Sequence, residues 1–142
     1  MPESFRLSVL TPARAVLEET VESVIAPGTE GYLGILAHHA PLITALQPGK
    51  LTVKLPGGEV RTYALSGGFL EVSNNRAVIL ADALEEPESI DLARARAAAE
   101  QARARIKEAA GKGGAEEAAA AEAQDALQRA LNRIKVAEEG RG

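Results

Sequence analysis

Residues 26–48 read APGTEGYLGILAHHAPLITALQP. Glycine tolerates positive φ and proline interrupts helices, so the many Gly and Pro residues of this stretch predict tight turns. The stretch also carries large apolar and aromatic side chains, namely Tyr32, Leu33, Ile35, Leu36, Leu42, Ile43 and Leu46. Because turns and apolar residues are interleaved, we expect an ordered ribbon that folds back on a core, and not a flexible linker.

Short strands are predicted on both sides of this ribbon. Residues 5–9 and 51–55 alternate apolar and polar side chains, which is the period of a strand with one buried face. Further β candidates are 15–18, 21–26, 60–64, 69–72 and 77–80, with turns at 56–58, 66–68 and 74–75. Turn signals this closely spaced are typical of a β-sandwich or barrel, which we predict for residues 1–86.

The composition changes near residue 86 to Ala, Arg, Glu and Leu. Pro87 marks the boundary, and Glu86, Ser89 and Asp91 are candidate caps for a first helix. Apolar residues then recur at steps of three and four on both sides of the glycine-rich segment 111–114. The two seams are Leu92, Ala95, Ala99, Ala102, Ile106 and Ala109, and Ala120, Ala123, Leu127, Ala130, Ile134 and Ala137. This pattern predicts an antiparallel two-helix hairpin over residues 87–142, hence an α+β fold with an N-terminal all-β sandwich.

The predicted hairpin has few large side chains in its seams, because most seam positions are alanine. Burial of apolar area must offset the conformational entropy of ordering the chain. A hairpin with so little to bury depends on docking against something else. We therefore expect it to open, extend or change partners, which is a physical basis for a switch.

Composition excludes several classes of protein. The 142 residues carry a formal net charge of -4, whereas a dedicated nucleic-acid-binding protein presents a basic surface. The absence of cysteine excludes disulfide bonds, thiolate zinc sites and cysteine nucleophiles. No apolar run approaches the roughly 20 residues of a membrane span, and no basic segment precedes an apolar core at the N-terminus. We expect neither a membrane-spanning helix nor a classical export signal.

The histidine pair His38 and His39 is a candidate metal or catalytic site. Adjacent residues of a strand point to opposite faces, no third ligand is close in sequence, and Pro41 suggests a packed turn. A structural or interface role is therefore favoured over a metal site or a hydrolase centred on His38 with Glu30. The segment 111–114 lacks the spacing and the Ser or Thr of a phosphate loop, and we interpret it as a helix end and turn.

A second constellation lies on the predicted helices. It comprises Glu85, Ile90, Asp91, Arg94 and Ala95, together with Arg129 and Arg133. Arg129 and Arg133 are four residues apart and share one helix face, and guanidinium groups suit phosphate oxygens. Asp91 and Glu85 can accept hydrogen bonds from an adenine amino group or a ribose. The alternative is an ordinary charged surface with intrahelical ion pairs.

Three segments carry a resemblance to a known family. PGTEGYLGILAHHAPL at 27–42, SGGFLEV at 66–72 and ILADA at 79–83 closely resemble the epsilon subunit of bacterial and plastid F-type ATP synthases. The resemblance covers essentially the whole chain. It implies a non-catalytic rotor subunit whose β-sandwich grips the gamma subunit and sits on the c-ring, so that rotation of the proton-driven ring reaches the catalytic head. It also implies a helical hairpin that permits turnover when folded, and that inhibits ATP hydrolysis when extended along gamma towards the alpha and beta subunits.

The same resemblance bears on the charged constellation. Family members that bind ATP share an I-D-x-x-R-A motif on the first helix and two arginines spaced by four on the second. Residues 90–95 match the motif, Arg129 and Arg133 match the pair, and Glu85 matches the acidic position ahead of it. A further basic residue expected on the first helix is replaced by Gln101, with Arg103 nearby. The resemblance implies no required cofactor and no metal, with ATP as a regulatory ligand.

The resemblance also sets expectations about partners and location. Exposed residues near the ribbon turns, namely Glu30, Tyr32, His38 and His39, are the expected contacts with gamma and the c-ring. The expected location is peripheral, on the cytoplasmic face of the bacterial cell membrane and attached only through the complex, with the plastid thylakoid ranked second. No nucleic-acid partner is expected. The alternative function is a stand-alone binding adaptor whose helical hairpin captures a client protein.

Overall fold

The strands predicted around the ribbon form one continuous sheet in the computed structural model, which describes residues 3–110, 112 and 114–141. The strands are β1 Phe5–Leu10, β2 Ala15–Val21, β3 Ser23–Gly28, β4 Gly31–Leu36, β5 Leu42–Lys54, β6 Val60–Ser73, β7 Arg76–Ala81 and β8 Leu84–Glu85. Their order in the sheet is β2-β1-β7-β6-β5-β3-β4, and β8 pairs with β6. All pairings are antiparallel except that of β1 with β7, which is parallel.

One aliphatic cluster fills the interior of this sheet. Its fully buried large side chains alternate along the strands with exposed ones, as expected for strands with one buried face. They are Leu7, Val9, Val21, Val24, Ile35, Leu51, Val53, Leu65, Leu70 and Ile79. Because β1 to β7 all contribute to the same cluster, the sheet closes on itself as a sandwich, and the predicted fold class is confirmed.

The long strands β5 and β6 differ from the prediction. Residues 66–68 were expected to form a turn, and residues 26–48 a ribbon of tight turns, but β5 and β6 run through Pro48 and through 66–68 in a constant register. Gly67 and Gly68 have φ of 100° and 143°, so β6 bends sharply there without losing its pairing with β5. On its other edge, β6 changes partner from β8 to β7 at this bend. The predicted turn at 66–68 is therefore wrong. The two glycines instead allow a bend within one strand.

The other two predicted turns are confirmed. Gly57 and Gly58 have positive φ in the turn that joins β5 to β6, where Leu55 N–H donates to Glu59 O at 2.8 Å. Asn74 and Asn75 have φ of 49° and 58° in the turn that joins β6 to β7. Asparagine is the residue other than glycine that best tolerates this conformation, so the local sequence was sufficient to predict that turn.

The remaining residues form two helices after a short 3-10 turn at Pro87–Ser89. Helix α1 spans Leu92–Ala109 and helix α2 spans Gly114–Arg141. Of the three candidate caps, Asp91 takes the N-cap position. In the predicted break at 111–114, Gly111 and Gly113 lie outside the described residues. No helix within the described residues is both long enough and apolar enough to cross a lipid bilayer.

The seam between α1 and α2 is made of alanine. The buried seam alanines are Ala95, Ala99, Ala102 and Ala109 on α1 and Ala123, Ala130 and Ala137 on α2. The larger seam residues Leu92, Ile106, Leu127 and Ile134 are only half-buried. The predicted seam is thus confirmed, but it buries mainly methyl groups. Val136 is also buried, although it precedes a seam position and was not predicted.

Candidate functional site

The first half of the charged constellation is the start of α1. Ile90 is buried, and Asp91 Oδ1 accepts a hydrogen bond from the backbone N–H of Arg94 at 3.0 Å. Asp91 O accepts the first helical hydrogen bond from Ala95 N–H at 3.0 Å, and Ala95 is buried in the seam. Ile90, Asp91 and Ala95 therefore each help to begin the helix, whereas the side chain of Arg94 is exposed to solvent.

An ion pair across the hairpin shows on which flank Asp91 and Arg94 lie. Arg96 Nη2 lies 3.7 Å from Glu138 Oε2, so these two residues mark one flank. An α-helix turns by about 100° per residue. Asp91 and Arg94 precede Arg96 by five and two residues, which places them about 140–200° around the helix from it. They therefore lie on the opposite flank of the hairpin from the ion pair.

Arg129 and Arg133 lie on that same opposite flank. They precede Glu138 by nine and five residues, which again places them about 140–180° from the ion pair. Arg129 is exposed, and Arg133 is half-buried with its Nε shielded from solvent. The ion pair places Arg96 and Glu138 at about the same level along the hairpin. Counting 1.5 Å per residue from that level, Arg133 lies about 10 Å along the axis from Arg94 and about 15 Å from Asp91. The two halves thus share a flank but are spread along it, which suits an elongated ligand better than a compact anion.

Gln101 and Arg103 are near the constellation in sequence but lie on different flanks of the hairpin. Gln101 follows Arg94 by seven residues, so it lies two turns further along the same face. Arg103 follows Arg96 by seven residues, which puts it on the ion-pair flank, and its Nη1 lies 3.2 Å from Glu100 Oε1. Arg103 therefore does not replace the basic group that Gln101 lacks. Glu85 is half-buried in β8, where it pairs with Ala64 of β6.

The N-cap of α1 gives a test that separates the cap hydrogen bond of Asp91 from its carboxylate charge. We expect Asp91→Ala to lower the free energy of unfolding of the helical unit by about 1 kcal/mol, because the cap is lost. Asparagine caps helices about as well as aspartate, so Asp91→Asn should cost much less. Thermal unfolding followed by circular dichroism measures both. Equal losses in the two variants would mean that the carboxylate charge, and not the cap hydrogen bond, stabilises the helix start.

The histidine pair lies in the turn between β4 and β5 and not in a strand. His38 has φ of 63°, and its N–H donates to Asn75 Oδ1 at 2.7 Å. His38 Nε2 lies 3.1 Å from Glu3 Oε2, and His39 Nδ1 donates to Ala40 O at 2.7 Å. These contacts give both residues structural roles. Among the described residues, no cluster of three His, Asp or Glu side chains suits a metal ion.

Tyr32 and Glu30 lie at the other end of the ribbon. Glu30 is exposed in the turn between β3 and β4. Tyr32 is also exposed, yet its Oη accepts a hydrogen bond from Lys50 N–H at 2.9 Å. A Cβ on Gly49 would lie 2.5 Å from Pro27 Cβ and 2.9 Å from Tyr32 Oη, so the tyrosine packs tightly over this glycine. The side chain of Tyr32 braces the ribbon while remaining accessible.

A third surface was missed by the sequence analysis. Ile43, Phe69 and Leu80 are 74%, 57% and 54% exposed on the adjacent strands β5, β6 and β7. Phe69 lies directly opposite Leu80, and Glu71 lies opposite both Ile43 and Val78. We call these five residues the Phe69 patch; together with Leu70 they line a shallow depression of about 270 Å³. The signal in the sequence was the consecutive apolar pairs 69–70 and 79–80, since one member of each pair must face outward.

Comparison with known proteins identifies the family. Residues 4–87 match a family described as ATP synthase, Delta/Epsilon chain, beta-sandwich domain, and residues 88–138 match its long alpha-helix domain. The ATP synthase epsilon chain of Desulforamulus reducens is 46% identical over 138 residues, which are 97% of this chain and 100% of that one. The chain belongs to the ATP synthase epsilon-chain family.

Further relatives agree with this family. The epsilon chain of Carboxydothermus hydrogenoformans is 50% identical over 106 residues, covering 75% of this chain and 78% of that one. A chain in the cryo-EM structure of the Euglena gracilis mitochondrial ATP synthase, OSCP/F1/c-ring in rotational state 1, superposes with a TM-score of 0.79 at 26% identity. The match covers 100% of this chain and 84% of that one. The resemblance of the sequence to epsilon subunits is confirmed.

Proposed function

We propose that this epsilon-family chain is a non-catalytic rotor subunit with a built-in regulatory arm. The sandwich transmits rotation from the c-ring through gamma, and the hairpin inhibits ATP hydrolysis when it leaves its folded form. The observation that carries the proposal is the seam of the hairpin, in which most fully buried residues are alanine and the larger seam residues are only half-buried. ATP bound along the flank of Asp91, Arg94, Arg129 and Arg133 favours the folded form.

The Phe69 patch supports a tight contact between the sandwich and gamma. Exposed apolar surface on an otherwise polar protein marks an interaction site, and aromatic residues are enriched in such sites. Glu71 lies within the patch, so the segment of gamma that covers it should present apolar side chains with a basic group opposite Glu71. The solved relative contains F1 and the c-ring, which is the setting that this proposal requires. The ribbon residues Glu30, Tyr32, His38 and His39 remain our candidates for contacts with gamma and the c-ring.

The construction of the hairpin supports its role as a switch. Helical hydrogen bonds are formed within each helix, so separating α1 from α2 breaks none of them. Both helices are long and rich in Ala, Glu, Arg and Leu, the residues with high intrinsic helix propensity. Opening the hairpin therefore costs the small seam contacts and leaves the helices intact. A ligand or partner that binds only one form then sets the balance between the two forms.

The charged flank supports ATP as that ligand. Arg129 and Arg133 present guanidinium groups suited to phosphate oxygens, and Arg94 adds a third on the other helix. The Asp91 carboxylate, about 15 Å from Arg133 along the axis, can accept a hydrogen bond from an adenine amino group or a ribose hydroxyl. Because Arg129 and Arg133 lie on α2 whereas Asp91 caps α1, both ends of ATP can be held only while the hairpin is folded. ATP then shifts the equilibrium by its differential affinity for the two forms.

The test is ATP hydrolysis by a complex of alpha, beta and gamma across a range of ATP concentrations. The full chain should inhibit at low ATP, and the inhibition should fade as ATP rises. A chain that ends at Glu86 keeps every strand of the sandwich, and it should bind the complex without inhibiting it. If the full chain binds but never inhibits, the hairpin has another role. If neither form binds, the proposed rotor function is wrong.

The nucleotide part of the proposal is tested in the same assay. Replacing both Arg129 and Arg133 by alanine should preserve inhibition at ATP concentrations that relieve it in the wild type. The matched control is the double replacement of Arg103 and Lys107 by alanine, because both side chains are exposed and follow Arg96 by seven and eleven residues, which places them on the opposite flank of the hairpin. The control should respond to ATP like the wild type. An equal response of both double variants to ATP would remove Arg129 and Arg133 from the site.

A further inference from the structure

The last turn of α2 makes an unusually close contact with the turn that precedes α1. A Cβ added to Gly140 would lie 2.3 Å from Pro87 Cβ and 2.9 Å from Pro87 Cγ. Only a hydrogen atom fits between them. Gly140 is the last but one residue of α2, and the absence of a side chain there lets the last turn pack directly on Pro87. Pro87 is buried, and Ala137 is buried three residues before Gly140, so the end of α2 is docked along its inner face.

A short segment, residues 87–91, joins Pro87 to the candidate nucleotide site. Pro87 begins the 3-10 turn Pro87–Ser89, and Pro87 O accepts a hydrogen bond from Ile90 N–H at 3.3 Å. Ile90 is buried, and the next residue is Asp91, whose carboxylate caps α1. The position of Pro87 therefore determines where the Asp91 carboxylate lies. Anything that displaces Pro87 displaces one end of the proposed site.

We propose that the C-terminal turn of α2 is a positioning element for ATP, in which Gly140 seats against Pro87 and thereby places Asp91. This inference rests on the proposed nucleotide site and adds to it a residue that touches no ligand. By linkage, a contact that strengthens ATP binding is itself strengthened by ATP. Binding at the flank thus tightens the end of α2, and loosening the end of α2 weakens binding. The end of α2 and the start of α1 open and close as one unit.

The test is hydrogen exchange of the full chain, comparing the wild type with Gly140→Ala. On helix propensity alone, alanine would stabilise α2 and slow exchange. The close contact predicts the opposite sign: the amides of Ile90 and Arg94 should exchange on the order of tenfold faster without ATP. Calorimetric titration with ATP should show the dissociation constant rise, also on the order of tenfold. ATP added to the wild type should slow exchange at residues 136–140.

Two further variants make the test specific. Pro87→Gly removes the atoms that a Cβ at 140 would meet, so the Gly140→Ala defect should be much smaller in the Pro87→Gly background than in the wild type. Lys135→Ala, at an exposed position on the same helix, should change neither exchange at residues 90–94 nor ATP affinity. Unchanged or slower exchange in Gly140→Ala would overturn the positioning role. Absence of ATP binding by the wild type would overturn the proposed nucleotide site, while the exchange rates would still decide whether Gly140 orders the start of α1.

Discussion

Replacing Phe69 by aspartate should abolish stable binding of the chain to gamma while leaving the fold intact. The ring is 57% exposed, so the change removes little from the core of the sandwich. In the proposed interface it removes the central aromatic side chain and places a charge beside Glu71. Loss of a central aromatic anchor costs about 2 kcal/mol or more, and burying an unpaired carboxylate adds to that. Affinity should fall by at least about 30-fold, measured by capture of the chain on immobilised gamma.

The matched control is Val60→Asp. Val60 lies on the same strand as Phe69 and is 55% exposed, but it is at the other end of β6, next to the turn from β5. This variant carries the same new charge and should bind gamma like the wild type. Equal loss in both variants would mean that added negative charge weakens binding wherever it is placed. Full binding by Phe69→Asp would show that gamma contacts a different face of the sandwich.

Replacing Gly68 by alanine should destabilise the sandwich more than any single change discussed above. A Cβ at this position would lie 2.0 Å from Leu80 O and 3.0 Å from Ala81 Cα, both of which are backbone atoms of the paired strand β7. Gly68 also has φ of 143°, which side chains other than hydrogen rarely tolerate. Overpacking and backbone strain each cost about 1–3 kcal/mol, so the loss should be about 2–6 kcal/mol. Urea unfolding followed by circular dichroism measures it.

Gly34→Ala is the control for this change. Gly34 also lies within a strand, but a Cβ there would have no neighbour within 4 Å. Alanine at a compatible position reduces the entropy of the unfolded chain, so this variant should be neutral or slightly stabilised. A small loss in Gly68→Ala, similar to that in Gly34→Ala, would mean that β7 can move away and that the bend in β6 is soft.

The parts of the fold that depend on local chemistry could be predicted from the sequence. Asn74 and Asn75 indicated a hairpin turn because few residues adopt positive φ, and the alanine spacing indicated the helical seam. The bend at Gly67 and Gly68 could not be predicted, because glycine marks a turn and a bend equally well. What decides between them is the pairing of β6 with β5 on one edge and with β8 and β7 on the other. That choice depends on strands that are distant in sequence.

In the candidate site, too, features set by neighbouring residues were predicted and features set by distant residues were missed. Asp91 was one of three predicted caps of α1 and Ala95 was a predicted seam position, and both were found because capping and seam spacing are local properties. The Phe69 patch was missed because a strand pattern does not say which of two consecutive apolar residues faces the core. The contact of Gly140 with Pro87 was missed because the two residues are far apart in the chain. Glycine is also common at the C-terminal end of a helix, so its presence at position 140 did not indicate a close contact.

The parallel pairing of β1 with β7 has a consequence for how the chain folds. Residues 6–10 pair with residues 76–80, so β1 can complete its place in the sheet only after nearly the whole sandwich has left the ribosome. Folding is slow when contacts join distant parts of the chain and fast when they are local. The sandwich should therefore fold slowly, with β1 and β2 waiting for their partner, whereas α1 and α2 meet as soon as both are synthesised. In a refolding experiment, completion of the sheet by the pairing of β1 with β7 should limit the rate.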